Sequence, residues 1–325
     1  MNRFFAPGGE FSLIESLFDA SHFSRDGRGL GDDAFLFEAG GETWAVSADA
    51  SVEGVHFRLD WTSPAEALEK ALLSNLSDIN AMGGRASLAF LTLGALKDWD
   101  AAAIGGLRET LVRLEREHGF RVVGGDTVRK DRECFFAFTV MGKVAGRPLL
   151  RSRARPGHRI YVSGPLGSSA AGLALRMAGK RPGMDPAWDP FLAAHDRPRP
   201  PLGLGPALAA LPGPVAAIDL SDGLSSELAH LARQSGCRLT VEWGKLPYAG
   251  GLDRLPGGGN FREWVLHGGE EYQLLFTGDF APEELSRLAA HADIREIGFA
   301  RAGEGVGLAD GSGTERDLEA AGWSH

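Results

Sequence analysis

A chain of 325 residues, 43% hydrophobic and 24% charged, can hold two ordinary domains or one large one and has the balance of a soluble globular protein. Its formal net charge of −9 argues against nucleic-acid binding, which needs a basic stripe to displace counterions; the one basic cluster, residues 147–159, is short. No apolar run reaches the roughly 20 residues of a membrane span, and residues 1–9 lack the pattern of a signal peptide, so a cytoplasmic protein is expected.

In chain order, apolar runs at 34–37, 44–47, 88–93, 121–123 and 134–144 have strand length and composition. Between them, Ser63-Pro64-Ala65-Glu66 supplies an N-cap, a proline at the first helical position and a capping-box glutamate. The helix it opens carries Leu68, Leu72, Leu76 and Ile79 at helical spacing and stops at Gly83-Gly84. A second helix is predicted over 98–118, with Leu107, Leu111 and Leu114 on one face and Gly119 as its stop. Strands split by two helices predict an α+β layer with the helices on one side of the sheet. At Gly146-Arg147-Pro148 the texture changes, which places a first domain at 1–147 and a second at 148–325. The second half reads as a strand at 159–163, a helix at 168–177, a Pro- and Gly-rich stretch at 181–205, a strand at 215–220, a helix at 224–234 and strands near 238–242 and 272–276. The class is α/β in the α+β sense. Cys134 and Cys237 have no metal-ligand spacing and read as reduced thiols; Gly257-Gly258-Gly259 is the only low-complexity scrap.

The chemistry lies in where the aspartates stand. Asp32 and Asp33 follow Gly31 just before a strand, Asp49 ends one, and Asp126 follows Gly124-Gly125 at the end of another. Asp219 and Asp222 flank a strand end in Ile218-Asp219-Leu220-Ser221-Asp222-Gly223, and Asp78 sits among apolar helical turns. In α/β architectures ligands gather at strand ends, where glycine lets the backbone approach. Two carboxylates about 4 Å apart repel by roughly 4 kcal/mol at an effective dielectric of about 20, so seven converging acids need cations. Oxygen ligands without Cys or clustered His favour magnesium, manganese or calcium, and carboxylate-held magnesium usually grips substrate phosphates as well. Singly, each Asp beside a Gly could be a turn former, and Asp222 could be the N-cap of the helix after it.

Other chemistries are missing. The chain has no GxxxxGK[ST], no GxSxG and no HExxH. Gly164-Pro165-Leu166-Gly167 before a helix is only a weak phosphate-cradle signal, and His56 alone after the Gly54-Val55 turn reads as structural.

The motifs together resemble the thiamine-monophosphate kinase family. They are Gly31-Asp32-Asp33-Ala34, Ser47-Ala48-Asp49, Glu53-Gly54-Val55-His56-Phe57, Lys70 through Asn75-Leu76-Ser77-Asp78 to Ala81-Met82-Gly83, and Gly124-Gly125-Asp126-Thr127. Gly164 through Ala170-Ala171-Gly172-Leu173, Ala217 through Asp219 and Asp222 to Leu224, Gly268-Gly269-Glu270-Glu271-Tyr272 and the terminal Gly322-Trp323-Ser324-His325 continue the match. The resemblance implies the fold of the aminoimidazole ribonucleotide synthetase group, in a homodimer whose amino-terminal sheets join into a barrel, with a carboxy-terminal α/β sandwich. It also implies ATP and several Mg2+ ions, with direct transfer of the γ-phosphoryl group to thiamine monophosphate. By motif, Asp33, Ser47, Ala48, Asp49, Asp78, Asp126, Asp219 and Asp222 are the metal set; Gly125, Asp126, Arg151 and Ser221 touch ATP; His56, Glu270 and Trp323 hold the acceptor. No general base is assigned, because a phosphate oxygen is already ionised. The sequence departs from the family pattern at Ala48 (Thr is usual), Pro201 (Arg is usual) and Glu271 (Asp is usual). Two other readings stay open here: another ATP-dependent synthase of the same group, and a non-catalytic nucleotide-binding dimer. The absence of any cysteine before Cys134 argues against the selenium-handling synthases, and retention of seven costly acids argues against a dead binder.

Overall fold

The computed structural model describes residues 13–14, 16–256 and 260–322. Its first strands, β1 (Phe35–Ala39) and β2 (Glu42–Val52), form a hairpin with Ala39 opposite Glu42. The two turn residues, Gly40 and Gly41, both have positive φ, as a tight hairpin with the right-handed strand twist requires. Helix α1 (Pro64–Ala81) starts where its chemistry predicts: the Ser63 hydroxyl accepts the Glu66 N–H, and the Glu66 carboxylate accepts the Ser63 N–H. Then come β3 (Arg85–Leu96), α2 (Ala101–His118), β4 (Arg121–Lys130) and β5 (Phe135–Val144).

These strands make one sheet in the order β1-β2-β5-β3-β4, antiparallel except for the β3–β4 pair that α2 connects. Leu68, Leu72, Leu76 and Ile79 of α1 pack with Leu107 and Leu114 of α2 onto Phe136, Phe138 and Val140 of β5. The helices thus cover one face, as predicted. On the other face and the β4 edge Phe35, Phe90 and Val128 stay exposed. β4 lies very close to β3: a Cβ on Gly125, whose φ is +147°, would sit 1.8 Å from the Leu91 carbonyl oxygen. Gly125 is therefore demanded by strand packing itself.

The rest of the chain builds a second sheet. Its strands are β6 (Arg159–Val162), β7 (Ala216–Asp219), β8 (Arg238–Glu242), β9 (Leu274–Gly278), β10 (Arg295–Arg301), β11 (Val306–Ala309) and β12 (Glu315–Asp317), in the order β12-β11-β8-β10-β6-β9-β7. Helices α3 (Ser168–Met177), α4 (Asp189–Asp196), α5 (Leu204–Ala209), α6 (Leu224–Ser235), α7 (Phe261–His267) and α8 (Pro282–Leu288) flank it. Leu224, Leu228 and Leu231, at helical spacing on α6, bury against Ile218, Leu239 and Val241. The Pro- and Gly-rich stretch holds two short helices, α4 and α5. Gly205 of α5 comes so close to α1 that its N–H donates to Asn80 Oδ1 at 2.9 Å. Both cysteines are buried and free.

Candidate active site

α1 passes between the two sheets, and its carboxy-terminal half brings Asp78 against the end of β7. There Asp33, just before β1, Asp78 and Asp219, the last residue of β7, present carboxylate oxygens that all lie within 4.8 Å of one another. Ser47 Oγ of β2 donates to Asp78 Oδ2 at 2.5 Å. Ser47, Ala48, Asp49, Ser221 and Asp222 line the same cleft, which has a volume of about 930 Å3. Five of the predicted acids therefore converge. The alternative that Asp222 merely caps α6 is not what the structure shows: the N-cap residue is Gly223, with no side-chain cap. At Ala48 only the backbone carbonyl can offer an oxygen to the site.

This convergence is costly. Burial first, and then the neighbouring Asp219, Asp49 and Asp33, push the Asp78 carboxyl well above the usual range. Burial and then Asp33 push Asp219 up to about 8. Asp33 is raised by burial against the opposing pull of Arg151. Asp33 Oδ2 and Asp219 Oδ2 are buried without a hydrogen-bond partner. Buried carboxylate oxygens left unpartnered at this spacing, with no thiol or imidazole in the set, fit hard divalent cations.

Not every predicted residue faces the cleft. Arg151 sits behind Asp33: its guanidinium is engaged by the Asp33 carboxylate, its Nε lies 3.9 Å from Asp32 Oδ1, and its backbone N–H donates to that oxygen at 3.2 Å. Asp32 is pushed up to about 7, by burial and then by Asp33. Gly125 and Asp126 stand on exposed β4, where Asp126 is in register with Thr92, and neither lines the cleft. Trp323 lies outside the described residues.

At its other end the cleft is lined by His56, Val55, Trp61, Leu173, Met177, Trp264, His195 and Glu270. His56, structural when read alone but an acceptor contact by the family resemblance, reaches this wall; its Nδ1 accepts the Val52 N–H at 3.1 Å. The loop bearing Glu270 hangs on the end of β7, with Glu270 N–H donating to Ser221 O at 2.7 Å and Tyr272 N–H to Leu220 O at 2.9 Å. Glu271 turns away and accepts the Ser169 N–H at 2.9 Å. The glycine-rich turn at 164–167 therefore does not leave an open anion site at the start of α3, because the protein's own carboxylate fills it.

Two residues that matter here went unread in the sequence. Glu227 of α6 is buried, accepts the Asp222 N–H at 2.8 Å and so fixes the loop between β7 and α6. The available signal was its spacing from Leu224 and Leu228, which puts it on the buried face. His195 of α4 is also buried, and burial, then Lys70 and Arg176, hold it well below its ordinary value as a neutral imidazole.

Residues 31–144 match the family described as AIR synthase related protein, N-terminal domain, and that stretch holds the whole of the first sheet and the two helices that cover it. The chain is 36% identical over 301 residues to the thiamine-monophosphate kinase of Bacillus subtilis, covering 90% of this chain and 91% of that one. It is 38% identical to the thiamine-monophosphate kinase of Escherichia coli K12, covering 89% and 87%. Among solved structures it is similar to AaThiL complexed with AMPPCP and TMP, with a TM-score of 0.84 at 28% identity over 100% of this chain and 98% of that one. The chain belongs to the thiamine-monophosphate kinase family.

Proposed function

We propose that the cleft transfers the γ-phosphoryl group of ATP directly to thiamine monophosphate, giving thiamine diphosphate and ADP, with Mg2+ at the acid cluster. The observation that carries this reading is the meeting of Asp33, Asp78 and Asp219 within 4.8 Å, in a chain whose close relatives are named for that reaction. Bound Mg2+ supplies neutralisation of the phosphate charge that otherwise keeps two anionic reactants apart. Asp33, Asp49, Asp78, Asp219 and Asp222, with the Ser47 hydroxyl and the Ala48 carbonyl, hold the cations. Ser221 touches ATP at the strand end, and the wall with His56 and Glu270 seats the acceptor, whose cationic ring suits the aromatic faces of Trp61 and Trp264. Arg151, by its grip on Asp32 and Asp33, orients the acid cluster from behind. The attacking phosphate oxygen is already ionised, so no general base is assigned.

What supports the division at 1–147 and 148–325 is that one sheet is built within residues 35–144 and the other within 159–317. A homodimer in which two copies bring their amino-terminal sheets together accounts for the exposed Phe35, Phe90 and Val128. No helix among the described residues is long and apolar enough to cross a membrane, in keeping with work in the cytoplasm.

The test is ADP release in a coupled assay with and without thiamine monophosphate. Release that depends on this acceptor is the expected result. Release with a different phosphorylated acceptor only, or none at all, overturns the reading.

Cation binding has its own signature. An unfolded chain has lost its aspartate protons above about pH 4, whereas the folded chain keeps protons on Asp78 and on Asp219, which is raised to about 8. Folding thus takes up protons, and stability falls as pH rises from about 4 towards 8. Mg2+ competes with those protons. Saturating Mg2+ should raise Tm by about 5 °C near pH 8 and by less than about half of that near pH 6, measured by differential scanning fluorimetry. An equal shift at both pH values would mean that the cations bind elsewhere.

A further inference from the structure

We infer that Lys70 is a positioning residue for the acceptor, holding the Glu270 carboxylate and the His56 loop in a fixed relation across the cleft. This rests on the kinase reading above. Lys70 lies on α1 two helical turns before Asp78, about 12 Å along the axis. Its ammonium is almost fully enclosed, with a side chain 5% exposed. It makes two contacts at once: 2.8 Å to Glu270 Oε1 and 3.0 Å to the His56 carbonyl oxygen. His56 belongs to the connection between β2 and α1, and Glu270 to the loop before β9. One cation therefore ties a loop of each sheet to the helix between them, at the wall where the acceptor sits.

Stability alone does not account for this arrangement. A buried ion pair contributes little beyond what apolar side chains of similar size would give. Glu270 also holds a φ of +59°, a conformation unfavourable for a residue with a side chain, which persists only where surrounding contacts over-determine it. Its N–H is fixed on Ser221 O at 2.7 Å, and its Oε1 is taken by Lys70. The remaining oxygen, Oε2, lies 3.4 Å from His195 Nδ1 in a side chain 22% exposed to the cleft. Because the Lys70 charge offsets that of Glu270, this carboxylate acts on the acceptor through one aimed lone-pair oxygen and not as a bare negative charge. The group it recognises is an N–H donor on the acceptor's heterocycle.

The experiment is steady-state kinetics of Lys70→Met and Lys70→Arg with each substrate varied in turn. Lys70→Met should raise KM for thiamine monophosphate about 10-fold or more while KM for ATP stays within about twofold, and Lys70→Arg should recover most of the loss. If Lys70→Met fails to fold, Lys70→Gln is read in the same way. Added to Glu270→Gln, the Lys70 substitution should cost nothing further, as expected for two residues acting as one unit. Equal increases in both KM values, additive losses, or an unchanged KM for the acceptor would overturn the inference. An unmutated protein inactive with thiamine monophosphate would instead overturn the kinase reading on which it rests.

Discussion

Replacing Asp78 by Asn will lower turnover about 1,000-fold or more while raising the thermal stability of the protein. The two effects have one cause. Asp78 stands at the centre of the cluster, with Asp33 and Asp219 within 4.8 Å and Ser47 Oγ donating to it at 2.5 Å. Asparagine keeps an oxygen for the Ser47 hydroxyl and nearly the same shape, so packing is preserved. On the metal reading proposed above, what is lost is a negative charge that would grip cations during turnover and that, without them, is opposed by Asp219, Asp49 and Asp33. Burial is the largest contribution to its raised pKa, followed by Asp219, Asp49 and Asp33.

The pH dependence separates this account from simple repacking. Below the aspartate's unfolded value, about 4, Asp78 is protonated in both states and resembles Asn. As pH rises the folded state must either keep its proton or bear the charge, so the parent loses stability that the variant retains. The gain in Tm should therefore be a few degrees near pH 8 and vanish near pH 4 to 5, as followed by thermal melts without divalent cations. A variant that is less stable at every pH would refute the electrostatic explanation. One that turns over normally would remove Asp78 from the site. Function here is held against stability, as is common where a site needs charges that folding does not.

Much of this site was legible because its signals are local and chemical. A carboxylate at the edge of an apolar run is visible in one dimension, and Asp33, Asp49, Asp219 and Asp222 all carry that mark. The start of α1 could be read to the residue, since Ser63 and Glu66 satisfy each other's backbone within a single turn. What stayed hidden depends on the third dimension. Lys70 follows Glu66 and Glu69 and looks like part of a solvated helix face, yet α1 is enclosed by both sheets and the lysine is buried. Glu227 passes for a carboxylate complementing the first turn of α6. The late strands escaped for a related reason. β12, Glu315-Arg316-Asp317, has no apolar residue at all, and β10 carries a register shift between Glu296 and Gly298 that breaks the alternation a strand would otherwise show. Their identity comes from their neighbours in the sheet.

Asp126→Asn should abolish turnover, and mixing that variant with Asp78→Asn should restore it. The argument starts from sheet order. Asp49 of β2 pairs with Phe138 of β5, Phe138 with Leu91 of β3, and Leu91 with Gly125 of β4. Asp126 is thus three strands from Asp49, about 14 Å at the usual spacing. It also shares a face with Thr92 and, across β5, with Ala137, opposite to the face on which Phe136 and Phe138 meet the helices. No side-chain rotation takes an aspartate through its own sheet. If Asp126 serves a cleft, it is the cleft of a second copy whose sheet meets this exposed face. In a two-fold dimer each site then combines the Asp78 of one chain with the Asp126 of the other. Each variant alone has no intact site and should keep less than about 1% of activity. Random pairing makes about half of the dimers mixed, each with one complete site, so activity should return to about a quarter of the unmutated level. Differently tagged chains co-expressed and purified through both tags would isolate the mixed dimer, which should show about half of full activity. An inactive mixed dimer would place both aspartates in the same subunit's site, and a fully active Asp126→Asn would exclude that residue from the chemistry.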